Sequence, residues 1–247
     1  TAKDQFGNPI ANIQAGQMTF AADGTDNSFT SHGVTDTDGK TSTTFTSTTA
    51  ETKTISVIIQ GVKITQTASV TVKPDTTVSA AKSTLLASPT TITAGGAGST
   101  LTVTAKDQFG NPIAGIQPGQ MTFAADGTNN SFTLHGATND KGQTTTTLTS
   151  PTAGTKTISV TITQGTTTVT KQVTITVNAA SANRFMLEGA TSQVAGTTNT
   201  LTITANDAHG NTATTYTGEK SLIFAGAHTS FHAVNPTVSG VDFYTET

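Results

Sequence analysis

The run TAKDQFGNPIA occurs twice in this chain, at residues 1–11 and 104–114, and 104 less 1 gives an offset of 103 residues. At the same offset GQMTFAADGT recurs at 16–25 and 119–128, and TKTISV at 52–57 and 155–160. A fainter third copy follows, because LTVTAKDQFGN at 101–111 is echoed by LTITANDAHGN at 201–211. A period of about 100 residues is the size of a small domain and far longer than a solenoid unit. The chain therefore reads as a tandem array of one domain type, an arrangement that sets distance and stiffness more readily than it performs chemistry.

Within each copy the local pattern has period two. In the second copy Leu101, Val103 and Ala105 point one way and Thr100, Thr102 and Thr104 the other. Met121 and Phe123 form a short inward pair, and Thr145, Thr147 and Thr149 alternate with Thr146, Leu148 and Ser150. Ile158, Val160 and Ile162 alternate with polar neighbours, as do Val173, Ile175 and Val177. Turn residues bound these runs: FGNP at 109–112, DGTNN at 126–130, NDKG at 139–142, SPTAG at 150–154 and Gln164-Gly165. No segment carries a 3.6-residue period. Threonine makes up about a quarter of the chain, a bias that suits strands. About seven short, half-buried strands in about 100 residues predict an all-β antiparallel sandwich with an Ile/Val face inward and a threonine face outward.

The repeat places the domain edges. Residues 1–77 are expected to form a first sandwich lacking its initial strand, 78–180 a complete one that begins with a strand near residues 85–92, and 181–247 a divergent one that stops short. The stretches at 73–82 and 178–183 are short linkers, which limit bending and predict an extended, semi-rigid rod. With both end copies incomplete, the chain reads as a window on a longer array whose first copy is completed by its own polypeptide or by a strand from another subunit.

Bulk properties narrow the function. A net charge of −3 with only 12 Lys and Arg disfavours a nucleic-acid groove, which needs clustered cations. No apolar run of about 18 residues predicts a membrane-spanning helix, so no direct membrane insertion is expected of this segment. Cysteine is absent, which excludes a disulfide framework and a thiolate nucleophile or ligand.

Catalytic, cofactor and metal sites are each expected to be none. Asp36-Thr37-Asp38-Gly39 has the opening of a calcium loop, but the second copy reads Asn139-Asp140-Lys141-Gly142 and puts an ammonium where a cation would sit; a hairpin turn is the reading. His32 and His135 are equivalent and read as packing residues. His228 and His232 have the spacing of a helical zinc pair, yet they lie in a strand-like segment without the intervening Glu. The sequence shows no G-x-S-x-G elbow, P-loop or G-x-G-x-x-G. In KDQFGNP, Asp107 is expected to accept from N–H groups two or three residues on, Gly110 to take positive φ, Pro112 to preset the turn exit and Phe109 to plug one end of the sandwich.

The string LTVTAKDQFGNPIAGIQPGQMTFAADGT, followed by TNDKGQTTTTLTSPTAGTKTISVTI, resembles bacterial Ig-like domains of the group 1 type, which build the stalks of invasin/intimin-type adhesins. The likeness rests on the A-x-D-x-x-G-N-P-I turn at 105–113, the turn at 139–142 and the T-x-G-T-K-T run at 152–157. It extends over residues 1–178, with Glu51 replacing the glycine of the last run in the first copy. The third copy lacks the proline after Gly-Asn and inserts TYTGEKS. The resemblance implies a spacer on the bacterial cell surface that holds a distal module outward, with neighbouring domains of the same chain as its partners. Two alternatives stay open: a subunit of a self-assembling filament or surface layer, packing against identical subunits, and a carbohydrate-binding or accessory region of a secreted enzyme. Sugar stacking favours exposed Trp and Tyr, and this chain has no Trp and only Tyr216 and Tyr244.

Overall fold

A strand whose alternate residues are Ile or Val must cover one face, and the second copy covers it with a second sheet. The computed structural model describes residues 1–221 and the backbone of 241–243. The first copy contains β1 (Met18–Ala22), β2 (Asn27–Phe29), β3 (Phe45–Ser47), β4 (Thr52–Ile59), β5 (Val62–Lys63) and β6 (Ala68–Thr71). The second contains β7 (Thr84–Ser88), β8 (Thr91–Thr93), β9 (Ser99–Thr104), β10 (Met121–Ala125), β11 (Ser131–Phe132), β12 (Gln143–Thr149), β13 (Gly154–Gln164) and β14 (Thr167–Asn178). In the third, β15 (Arg184–Glu188) pairs with β16 (Thr202–Asn206), and β17 (Gly218–Lys220) with β18 (Val241–Phe243).

The second copy is a sandwich of two four-stranded sheets, ordered β10-β13-β14-β8 and β11-β12-β9-β7. Its inner faces meet in one cluster built on Leu101, Val103, Ala105, Leu148, Ile158, Val160, Ile162, Ile175 and Val177. The inward register read from alternation holds, and Met121 and Phe123 stand opposite Ile162 and Val160 on β13. All pairings are antiparallel except β8 with β14, which run parallel. The single strand expected near residues 85–92 is two: β7 pairs with β9 in one sheet and β8 with β14 in the other. Pro89 lies between them and has no N–H to give to a ladder, so the chain changes sheets there.

Threonine is not confined to the outer face. Thr144 and Thr146 are buried on the inward side of β12, where their hydroxyls donate to the carbonyls of Gly136 (2.8 Å) and Thr133 (2.6 Å). Thr138 is likewise buried, accepting from the Ile116 N–H at 2.9 Å and donating to the Ile113 carbonyl at 2.8 Å. Thr35 makes the same pair of bonds in the first copy. A hydroxyl with both roles filled costs little to bury.

In the first copy the same inward residues have less to cover them. Ile55, Val57 and Ile59 are half-buried where Ile158, Val160 and Ile162 are fully buried. The fully buried cluster shrinks to Ala2, Ile13 and Met18, with Ile10 and Ile59 packed against it. The difference follows from β7, β8 and β9, which have no counterpart there. Sequence reading also missed Lys53 and Lys156, equivalent lysines buried on the inward side of β4 and β13. The Lys53 ammonium donates to the Thr25 carbonyl at 3.0 Å and pairs with Glu51 at the strand entrance. The aliphatic stem packs inside while the charge reaches the rim.

Val160 tests the register. Val160→Ala is expected to cost about 1–3 kcal/mol through lost burial and the cavity left behind. Ser159→Ala, one residue away on the opposite face, is expected to cost under about 0.5 kcal/mol. Equal effects in urea melts would place the inward face one residue out.

Candidate interdomain junctions

The Asp-x-x-Gly-Asn turn is present three times, and its internal geometry is the same each time. Asp107 Oδ1 accepts from the N–H groups of Phe109 (2.9 Å) and Asn111 (2.8 Å), two and four residues on. The main chain closes the loop with Gly110 N–H to Asp107 C=O at 3.1 Å and Asp107 N–H to Asn111 C=O at 3.0 Å. Gly110 has φ +94°, a region that costs other residues strain. The Asn111 amide donates to Asp107 Oδ2 at 2.8 Å. Asp4 with Asn8, and Asp207 with Asn211, repeat this arrangement. The bridge that closes the turn exit, between Lys106 and Pro112, recurs between Asn206 and Thr212. The third copy therefore keeps the exit without the proline.

The second and third turns do more than hold themselves together. Asn111 Nδ2 also donates to the Thr48 carbonyl of the first copy at 2.9 Å, and Asn111 Oδ1 accepts the Ala50 N–H at 2.9 Å. Asn211 makes the corresponding pair with the Pro151 carbonyl and the Ala153 N–H, both at 2.8 Å. The two loops so gripped, residues 47–50 and 150–153, are each shaped by a serine hydroxyl, Ser47 with Thr49 and Ser150 with Thr152. The connecting segments are held too: the N–H groups of Asp75 and Ala180 donate to Asp107 Oδ2 and Asp207 Oδ2, both at 3.0 Å. Asp107 and Asp207 are fully buried by these contacts, while Asp4 is exposed.

Burial by itself raises the Asp107 carboxyl, but the Asn111 amide and three backbone N–H groups outweigh it and hold the carboxyl below its ordinary value. The same balance, with Asn211, Ala180 and His209 supplying the donors, brings Asp207 down to about 2. Asp4, with hydrogen bonds from Asn8 first among the causes, is lowered as well.

Phe109 does not plug the sandwich end as expected. It is 53% exposed, and its counterpart Phe6 is 80% exposed. Neither ring belongs to a core cluster. In the third copy His209 takes this position and lies against Gly95 of the second copy, so closely that a Cβ on Gly95 would meet its Nε2. The first copy has no counterpart of that β8–β9 turn for Phe109 to lie against.

The remaining candidates resolve as local structure. Asp36 Oδ1 accepts the N–H groups of Asp38 and Lys40, both at 2.9 Å, and Asn139 does the same for Lys141 and Gln143 at 2.9 and 3.0 Å. An amide serves as well as a carboxylate, so the residue shapes a turn. His32 and His135 pack edge-on against Phe20 and Phe123, with ring centres 5.1 and 5.0 Å apart. Tyr216 packs edge-on against Phe185 and lies under the Lys220 ammonium, 4.9 Å from the ring centre. His228, His232 and Tyr244 fall outside the described residues. Among the described residues no group of three or more His, Asp or Glu side chains could hold a metal ion. None of their helices is long and apolar enough to cross a membrane.

Residues 79–180 match the family model described as Invasin, domain 3. The second copy is a bacterial Ig-like repeat of the group 1 type, and the first, which repeats its sequence, is of the same type. This is the repeat type of bacterial adhesin-type surface proteins. Among solved structures the chain is similar to the adhesin FdeC of Escherichia coli, at 24% identity and a TM-score of 0.57 over 93% of this chain and 74% of that one. It is similar to InvD of Yersinia pseudotuberculosis at 23% identity and a TM-score of 0.49, covering 86% of this chain. Invasin, a bacterial integrin-binding protein, gives 24% identity and a TM-score of 0.47 over 89% of this chain. The chain spans 65% of the InvD structure and 44% of the invasin structure. No curated protein matches it.

Two measurements follow. A carboxyl lowered in the folded chain contributes stability that is complete above the unfolded value, about 3.9, and is lost as pH falls through the folded one. The third copy's attachment is expected to hold at pH 5 and to loosen as pH falls from about 4 toward 2, where Asp207 takes up its proton. Amide cross-peaks of Ala153 and Ala180 followed down the titration report it; unchanged peaks at the acid end would refute it. Adding a chelator at neutral pH is expected to leave the melting curve unchanged, and a fall reversed by calcium would restore a metal role for the Asp36 turn.

Proposed function

We propose that this chain is a structural spacer of a bacterial cell-surface, adhesin-type protein, extending away from the cell and holding a distal module outward, with no catalytic role of its own. The observation that carries the reading is the recurrence of one junction between successive copies. Two junctions use the same atoms at offsets that track the repeat, and both fix the loop and the connecting segment at once. A chain selected for a binding cleft has no need to rebuild its seams alike; a chain that must transmit position along its length does. On this reading residues 1–77, 78–180 and 181–247 are three successive Ig-like units, and its partners are the units before and after it in a longer chain. The second copy's burial of its own apolar face suits this role, because a unit with a complete core needs no disulfide to stand alone.

Small-angle scattering on the full chain tests the shape. A compact body of this length has a radius of gyration of about 18 Å. Three units in line, each one strand of about 8–10 residues long, make a rod near 100 Å with a radius of gyration of about 30 Å. A value near the compact one would overturn the spacer reading and favour a folded-back binding or accessory role; a concentration-dependent rise would favour the self-assembling filament or layer.

A further inference from the structure

We infer that Asn111 and Asn211 are the residues that fix how one copy sits on the next: a single side-chain amide, anchored to its own copy's aspartate, that recognises the main chain of the preceding copy's edge loop. This deepens the spacer reading and rests on it. Three observations carry it.

Both hydrogens of the amide are used, and its oxygen accepts as well. Asn111 Nδ2 divides its two hydrogens between Asp107 Oδ2 at 2.8 Å and the Thr48 carbonyl at 2.9 Å, and Oδ1 takes the Ala50 N–H. The first of these bonds fixes the side chain's direction before the second and third are made, so little rotamer freedom is lost on docking.

The partner groups are main-chain atoms. The carbonyl that Asn111 reads belongs to threonine and the one that Asn211 reads belongs to proline, at equivalent loop positions. The docking surface therefore fits any copy that keeps the serine-shaped loop, whatever side chains it carries. That tolerance explains how the divergent third copy docks as the second does, with bonds within 0.1 Å of the same lengths.

The bond to aspartate is common to all three copies. Asn8 donates to Asp4 Oδ2 at 2.9 Å, as Asn111 and Asn211 do to Asp107 and Asp207 at 2.8 Å. The contacts of Asn111 and Asn211 with the preceding copy's loop are made in addition to that bond.

The chain has no cysteine, so spin labels can be placed by single substitutions in the full chain. One pair, Ser69→Cys with Thr170→Cys, spans the first junction; a second, Thr170→Cys with Thr202→Cys, spans the second. Electron–electron distance measurements are expected to give one narrow distribution for each pair. Asn111→Ala should at least double the width for the first pair and leave the second narrow. Asn211→Ala should do the reverse, and Asn8→Ala should broaden neither. Melting provides the control for folding: all three variants lose the same bond to aspartate, and each copy should remain folded by its strand amide pattern. Broad distributions in the unsubstituted chain would sink the spacer reading itself. Narrow ones that Asn111→Ala and Asn211→Ala leave narrow would retain the spacer and overturn the lock.

Discussion

A carboxylate buried at the end of a sandwich is tolerable only when its lone pairs are met, and in this chain that accounting decides how the copies join. Asp107 and Asp207 each accept from their own turn, from the connecting segment and from an asparagine amide. No water need enter, and the charge stays ionised well below neutral pH. Once the aspartate is satisfied in this way the asparagine is immobilised, and an immobilised amide is a specific reader of one carbonyl and one N–H. Turn, connecting segment and preceding loop are therefore one hydrogen-bonded unit. Removing any member leaves a buried polar group without its partner, which costs more than the bond itself contributes.

Most of the fold could be read from alternation. In β13 the pattern is strict and each inward residue is aliphatic from Ile158 to Ile162, so burial has one solution and the structure adopts it. The reading weakened where the side chain does not reveal its face. Thr146 shares its row with Leu148 and Ser150, but β12 carries threonine on both faces, and only the nearby Gly136 and Thr133 carbonyls show that the inward hydroxyls have partners. The buried lysines were hidden for a similar reason: charge predicts exposure, whereas a lysine at the end of an inward row satisfies both its stem and its ammonium. The split at Pro89 was visible as a missing N–H, although its consequence, a change of sheet, depends on where β14 lies.

The junction was half legible. The turn, its glycine and the role of Asp107 as an acceptor follow from residue type. What the residue types could not say is that Phe109 faces out, or that Asn111 works in two directions. The first error came from treating a large aromatic as core by default. Phe109 belongs to a turn that leaves the sandwich, and such a ring is covered only by whatever the next surface offers. The second omission came from reading Asn111 as a turn residue, a role it fills. Its other contacts lie 61 and 63 residues earlier in the chain, and local pattern has no access to them. A signal was available nonetheless. The third copy loses the proline and the phenylalanine of this motif but keeps Asp, Gly and Asn, the three residues the junction uses.

That selective retention bears on how an array of this kind can vary without losing its geometry. Exposed side chains on the strand faces take no part in the junction hydrogen bonds described above, so they can drift at little cost to stability. At the junctions the bonds run from one repeated side chain to main-chain atoms, and main-chain atoms are present whatever the loop sequence. The requirement on the preceding copy is reduced to a loop shape, which Ser47 and Ser150 enforce through local hydroxyl contacts. Position 109 in the second copy and 209 in the third show what is free to change alongside: Phe in one, His in the other, the histidine seated on a glycine with no room for a Cβ. The same hydrogen bonds recur at both junctions, while a bulkier contact, His209 on Gly95, stands beside them at the second. On the proposed spacer reading, an array built this way can exchange or diverge its units and still pass one orientation from each to the next.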